Sequence, residues 1–381
     1  MADHSKFFKK YTLNNKVEVQ SLLVAAPMTL WGSNPDGTIS EEERKFLKSR
    51  GKGIGLYILG ATGVSLEGLA FDNQPRAFND KDIPSNAERA KIIKSQGAFA
   101  INQIHHGGCL GLKRLSGVPT MADVINKDLE KKGQLNDETK VVELTEKDIK
   151  RIIDDFARAT EISLKAGYDG IEIHGANNFL PQQFYSGYYN KRKDEWGGSL
   201  EKRMRFPLEV VDACCKIRDK YKKPEFIIGY RLSPEEPFDD GITMTETLAL
   251  VRALLKKPLQ FIHASQSKFF QEARRGEGAG TPRLKLIHDE IKGKMPLIGV
   301  GGLNTYEELS KALNSGYADF IGVARILMLN KDLGALLKEG KIDKIGTEID
   351  PDHPEKYDIP KMLWNMSIQD GSWLEFKKKK K

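Results

Sequence analysis

The stretch YDGIEIHGANNFLPQQFYSGYYNKRKDEWGGS, residues 168–199, decides how this chain is read. It begins with a short apolar run, Gly170 to Ile173. A run of that length, rich in β-branched residues and opening on glycine, reads as a buried strand. His174 and Asn177 come next without a break. Both side chains carry N–H donors, and on the turn leaving a strand both can reach one small polar acceptor. A long polar and aromatic loop succeeds them, and a new helix opens at Ser199. Chemistry at the point where a buried strand runs into a long loop is the arrangement of α/β enzymes. The plainer reading is structural: a core histidine and a helix-capping asparagine.

The same pattern recurs in both directions. Strand candidates are Leu22 to Ala26, Gly55 to Leu59, Ala98 to Ile104, Gly170 to Ile173, Phe226 to Arg231, Gln260 to His263, Pro296 to Val300 and Asp319 to Val323. Helical segments alternate with them, so the connections read as parallel crossovers. Ser40 with Glu43, Ser85 with Glu88 and Thr243 with Glu246 have the spacing of capping boxes, and Asn304 with Glu307 has the same logic. Thr145 opens a long amphipathic helix with Ile149, Ile152, Ile153, Phe156 and Ala157 on one stripe, and Gly167 stops it. Eight such units suit a closed (β/α)₈ TIM barrel better than a doubly wound sheet, though pattern alone leaves the open sheet standing.

The expected organisation is a barrel over residues 1–340 and a tail over 341–381. Residues 107–143 form a long excursion after the third strand, read as a cap over the barrel mouth. Leu363, Trp364 and Trp373 suggest that the tail docks on the barrel until near Phe376, with the lysine-rich end disordered.

The chain has 381 residues and a formal charge of +7, but Lys377 to Lys381 supply five of those charges and leave only +2. The body therefore gives no general argument for nucleic-acid binding, and the lysine run reads as a solvated tail. Cys109, Cys214 and Cys215 have no metal-ligand or redox spacing, so free thiols in a reducing compartment are expected. The N-terminus has no apolar signal core, and no apolar run approaches the roughly 20 residues that span a bilayer. The default reading is a cytoplasmic protein with no membrane partner. Nothing in the pattern fixes the oligomeric state; a homo-oligomer is compatible with it.

In a barrel the strand ends converge on one face. They bring Pro27, Met28 and Thr29, then Gly60, Ala61 and Thr62, then Gln103 with His105 and His106. They add His174 and Asn177, Arg231 with Ser233, Gly301 and Gly302 before Asn304, and finally Gly322, Ala324 and Arg325. The glycine pair lets backbone N–H groups approach an anion, the helix start after it adds a partial positive end, and Arg325 adds a forked cation. Together they read as a phosphate site. Gln103 offers a donor and an acceptor to a ring that displays both. Arg231 is a costly charge to bury without a partner. Either it pairs with Glu235 or Glu236, or it faces a ring atom that becomes negative. His105 and His106 read as structural, and no metal site is expected.

These residues resemble the Old Yellow Enzyme family of FMN-dependent NAD(P)H:flavin oxidoreductases, in its bacterial single-barrel form. The resemblance runs through AAPMTL at 25–30, GAT at 60–62, INQIHHGG at 101–108, YDGIEIHGANNFLPQQF at 168–184 and NKRKDEWGGSLEKRMRF at 190–206. It continues through YRLSPEE at 230–236, VGGL at 300–303 and FIGVAR at 320–325. It implies a non-covalently bound FMN and a hydride donor, NADH or NADPH. Ala26, Pro27, Met28 and Thr29 would lie along the flavin. Ala61 and Gln103 would hold its pyrimidine side, Arg231 would sit by the nitrogen that becomes anionic, and Gly301, Gly302, Ala324 and Arg325 would bind the phosphate. His174 and Asn177 would act on an electron-poor acceptor by gripping its oxygen, with Trp31 lining the substrate pocket. There are two departures. Ala324 replaces a usual glycine. Phe179 stands at the substrate-side position of the family's proton-donating tyrosine, and phenylalanine has no proton to give.

The reading is an oxidoreductase that passes hydride from NAD(P)H to an α,β-unsaturated carbonyl, a quinone or a nitro compound. Two alternatives remain at this level. One is a flavin-binding barrel with weak or lost ene-reductase activity. The other is a phosphate-binding barrel isomerase without flavin.

Overall fold

The structure is a computed structural model that describes residues 3–111, 116–120, 122–137 and 139–370. All eight expected strands form, with ends shifted by one residue in most cases and by four at the end of the second. They are β1 Leu23–Ala25, β2 Leu56–Gly63, β3 Phe99–His105, β4 Gly170–Gly175, β5 Ile227–Leu232, β6 Phe261–Ala264, β7 Leu297–Gly299 and β8 Phe320–Val323. Each pairs in parallel with the next, and β8 pairs with β1, which closes the barrel. The open-sheet alternative is thereby excluded.

Alternation along the strands sorts the interior by height. Val24, Leu56, Ile58, Ile101, Ile227, Phe261, Ile298 and Phe320 make an apolar floor. Leu13 and Val19, from a hairpin pairing Tyr11–Thr12 with Glu18–Val19, join that floor from below. Going up the strands on the same inward face, the residues turn polar: Gln103, Glu172, His174, Arg231 and His263 are all buried. Period-two alternation puts Glu172 and His174 on one face. The outward residues pack against the helices in a second, larger core. The barrel therefore spends its apolar residues at one end and leaves the other for chemistry.

Helix starts depart from the sequence reading in three places. Ser40 does cap the helix Glu41–Leu47, but Glu43 does not reach back to it; it pairs with Arg89 at 2.7 Å, both side chains buried. The helix Ile83–Lys94 starts before Ser85, whose hydroxyl instead accepts from the Ile39 N–H, while Glu88 pairs with Arg44. After β7 the box is Thr305 with Glu308, one residue on from Asn304 and Glu307. Thr243 with Glu246 is a complete box, and Thr145 forms one with Asp148. Gly167, at φ +83°, takes the left-handed turn that ends the long helix.

The excursion after β3 builds its own small core. Ser116–Val118 pairs with Val141–Glu143, and the helix Ala122–Lys131 packs Ala122 against Val118 and Val141. Arg192 holds it down by donating to the carbonyls of Pro119 and Leu144 at 3.1 and 2.7 Å. In the tail, Leu363 and Trp364 are buried, and the buried Arg50 donates to the carbonyls of Leu327, Met328 and Tyr357. Trp373, Phe376 and the lysine run lie outside the described residues. The three cysteines are unpaired. No helix among the described residues is long and apolar enough to cross a membrane.

Candidate active site

Two adjoining cavities open where the strands end. The larger, about 450 Å³, is lined among others by Met28, Thr29, Ala61, Gln103, His174, Asn177 and Phe179. The smaller, about 240 Å³, is lined by Ala26, Ser265, Gly301, Gly302 and their neighbours. Pro27, Arg231, Ala324 and Arg325 face both. The fold thus brings every expected site residue but one to a single mouth. The exception is Trp31, which lines neither cavity. It stands behind Phe71, touching that ring edge-on at 5.7 Å, and Phe71 is the residue on the wall.

The acceptor end is built from β4 and the turn that leaves it. His174 is 3% exposed. Its Nδ1 accepts the Ala176 N–H at 3.3 Å, so the ring proton belongs on Nε2. Burial, then Arg231, His105 and His263, hold its pKa well below the ordinary histidine value. His174 is therefore a neutral donor. Asn177 and Asn178 both take left-handed backbone, φ +57° and +61°, which asparagine tolerates better than most residues. Ser233 Oγ accepts the Asn177 N–H at 2.8 Å. Ser265 donates to Asn177 Oδ1 at 2.9 Å, which leaves the amide nitrogen as the free end.

Phe179 is buried, with its ring edge-on to His105 at 4.2 Å and to His174 at 4.8 Å. The three tyrosines further along the chain are elsewhere. Tyr185 bonds the Glu246 carbonyl, and Tyr188 stacks on Phe238 at 3.9 Å. Tyr189 meets those same two rings edge-on, at 5.0 and 5.9 Å. None of the three lines either cavity. His105 and His106 are buried and pushed down to about 3 and about 4, chiefly by desolvation. Among the described residues no group of three His, Cys, Asp or Glu could hold a metal ion.

The cofactor end resolves the alternative left open for Arg231. Glu235 pairs with Arg283 at 2.6 Å and accepts the N–H groups of Arg274 and Arg275. Glu236 accepts from Gln182, Ser186 and the Ile242 N–H. Neither reaches Arg231, whose buried Nε has no partner among the described residues. A buried guanidinium left open toward a cavity calls for an acceptor or an anion there. Gln103 uses its Nε2 on Glu172 at 2.7 Å, which leaves its oxygen for a ring N–H. Gly301, at φ +134°, lies so close to the next loop that a Cβ there would stand 2.6 Å from the Lys268 carbonyl carbon. Only glycine fits that turn.

A model of the NADH:flavin oxidoreductase / NADH oxidase family matches residues 6–344. The chain belongs to that family. It is 37% identical to the probable NADH-dependent flavin oxidoreductase YqiG of Bacillus subtilis (strain 168), over 98% of this chain and 99% of that one. It is 33% identical to the NADH:fumarate oxidoreductase of Klebsiella pneumoniae (strain 342), covering 97% of this chain and 39% of that longer one. Its fold is that of the Old Yellow Enzyme homologue from Zymomonas mobilis, with a TM-score of 0.73 at 22% identity over 93% and 99% of the two chains. Morphinone reductase in complex with tetrahydroNAD gives 0.71 at 23% over 92% and 93%. Membership in this flavin oxidoreductase family makes the protein an oxidoreductase that works with FMN and a pyridine nucleotide. The unpartnered Arg231, the free oxygen of Gln103 and the glycine turn fit such a cofactor. The flavin-free isomerase alternative falls with that assignment.

Sequence reasoning missed Phe71, Ser265, Glu172 and His263. Phe71 carried no signal, being one aromatic in an irregular loop. Glu172 did carry one: a charge on the inward face of a buried strand, two residues before His174.

Proposed function

We propose that this oxidoreductase passes hydride from NADH or NADPH to an electron-poor acceptor whose oxygen is held by His174 Nε2–H and the Asn177 amide. The observation that carries it is the pair of free donors: a neutral histidine with its proton on Nε2, and an asparagine whose oxygen is already used by Ser265. Two fixed donors polarise a carbonyl, quinone or nitro oxygen and stabilise the charge that develops on it.

On this reading Arg325 and the backbone of Gly301, Gly302 and Ala324 hold the phosphate. Ala61 and Gln103 hold one edge of the ring, and Ala26, Pro27, Met28 and Thr29 line it. The bound FMN supplies two-electron hydride chemistry. Arg231 balances negative charge beside it, and His174 and Asn177 orient the acceptor. Phe179 excludes water from the far side without supplying a proton. Acceptors protonated on oxygen, where water can deliver, are therefore favoured over those needing a proton on carbon, which ranks quinones and nitro compounds above simple enones. The partners are small molecules, and the working compartment is the cytoplasm.

A phenol titrated into the oxidised holoprotein tests the pair. Phenolate stacked on flavin gives a long-wavelength charge-transfer band. His174→Ala and Asn177→Ala should each weaken that band with FMN still bound, and unchanged affinity in the double variant removes the assignment. Anaerobic bleaching of the flavin by NADH or NADPH separates this reading from that of a passive flavin binder.

A further inference from the structure

We propose that Glu172 is a positioning residue that fixes the orientation of Gln103 and holds down the reduction potential of the bound flavin. The inference rests on the FMN site and is independent of which acceptor is used.

Glu172 lies on the inward face of β4, two residues below His174, and is fully buried. It lines neither cavity. Its Oε1 accepts from Gln103 Nε2 at 2.7 Å. Its Oε2 lies 2.7 Å from His263 Nδ1. A carboxylate only accepts, so the His263 proton sits on Nδ1 and the bare Nε2 is left buried without a partner. Three strands are tied in this way at one level: β3 through Gln103, β4 through Glu172 and β6 through His263.

The first consequence is the direction of the Gln103 amide. An amide can present either end to a ligand. With its nitrogen engaged by Glu172, the end left for the cavity is the oxygen. That oxygen stands against β2, where a Cβ on Gly60 would come within 2.5 Å of it. Gln103 is thereby committed to accept a ring N–H.

The second consequence is electrostatic. Among the described residues, Glu172 has no lysine or arginine within ion-pair distance; its partners are an amide and an imidazole. A buried charge met only by neutral donors keeps its field. Arg231, opposite His174 on the adjacent strand β5, is close enough to feel it, and it is one of two arginines that face the cavity, the other being Arg325. With FMN held as assigned above, Arg231 would face the negative charge that the reduced ring carries. Glu172 opposes that charge from below and makes the reduced cofactor a stronger hydride donor.

The test is the midpoint potential of the holoprotein by dye equilibration, with released FMN measured alongside. Glu172→Gln keeps the shape and removes the charge. The ratio of reduced to oxidised FMN affinity should rise about tenfold, an upward shift of about 30 mV for a two-electron couple. Glu172→Asp keeps the charge and should stay within about threefold of the native ratio. An unchanged or lowered potential in Glu172→Gln overturns the proposal. So does an equal rise in Glu172→Asp, which would mark a purely structural tie. If Glu172→Gln yields no folded holoprotein, Glu172→Met carries the test: it fills the same space without the charge and should raise the ratio about tenfold, and an unchanged or lowered potential overturns the proposal.

Discussion

Ser265 donates its hydroxyl to the side-chain oxygen of Asn177 at 2.9 Å, across from β6 to the turn after β4. That one bond decides which end of the Asn177 amide is free. Without it the amide is at liberty to turn and present its oxygen to an acceptor's oxygen, which repels. Ser265→Ala removes one neutral hydrogen bond, about 1 kcal/mol. Phenol affinity of the oxidised holoprotein should fall about fivefold, a factor that matches that energy. An affinity equal to the native value would show that something else holds the amide.

Phe179→Tyr restores an ionisable group on the substrate side. A positioned general acid contributes about 10²–10⁴-fold. Stopped-flow reoxidation by cyclohexenone should accelerate at least tenfold, within that range. Flavin reduction by NADH and reoxidation by a naphthoquinone should barely change. The ring is packed between His105 and His174, so the hydroxyl enters a tight corner, and a stability loss of about 1 kcal/mol is expected from overpacking. If the native protein already reduces cyclohexenone as fast as naphthoquinone, a different donor operates.

Arg325→Ala should loosen the cofactor. A charge-assisted contact contributes roughly 1.5–3 kcal/mol, so FMN affinity should drop by about 10- to 150-fold. Arg325→Lys should fall between, because an ammonium lacks the planar fork. Fluorescence of released FMN on dilution reads this directly.

Stability should decline on mild acidification. His105, His106, His174 and His263 all have pKa values depressed in the fold, in each case chiefly by burial. As pH falls below about 6.5, the unfolded chain takes up protons that the folded one refuses. Each such histidine lowers stability by up to about 1.4 kcal/mol per pH unit in that window. Asp155, pushed up to about 6 by burial, opposes them with a single proton. Urea unfolding at pH 7.5, 6.0 and 5.0 should show a falling midpoint at constant slope. A flat profile would mean that the histidines are hydrated in solution.

The strand pattern made the barrel legible, because short apolar runs of four to seven residues alternating with helical stretches have few other uses. The mouth was legible for the same reason, since the residue after each run must lie at a strand end. Partnerships across strands were not. Nothing near Arg231 in sequence distinguishes an ion pair with Glu235 from an open guanidinium; the difference lies with Arg283, which claims Glu235. The tie of Glu172 to Gln103 and His263 joins residues 69 and 91 positions apart. The resemblance puts Trp31 at the substrate wall, and no sequence signal marks Phe71, which lines the cavity with Trp31 edge-on behind it. The capping residues slipped at Ser85 and Asn304 because a serine or asparagine three residues before a glutamate is common; a long-range bond from the Ile39 N–H claims Ser85, and the neighbouring Thr305 with Glu308 makes the better local box.

The seam between β8 and β1 joins the end of the barrel to its beginning. Gly301, Gly302 and Arg325 leave the ribosome some three hundred residues after Pro27 and Thr29. At typical synthesis rates that gap is roughly 15–60 s. Throughout it, one wall of the cofactor site exists without the other, and the edge of β1 lacks its neighbour. Cofactor loading thus waits until the eighth strand has emerged, and flavin supply acts on a closing barrel rather than on a growing one.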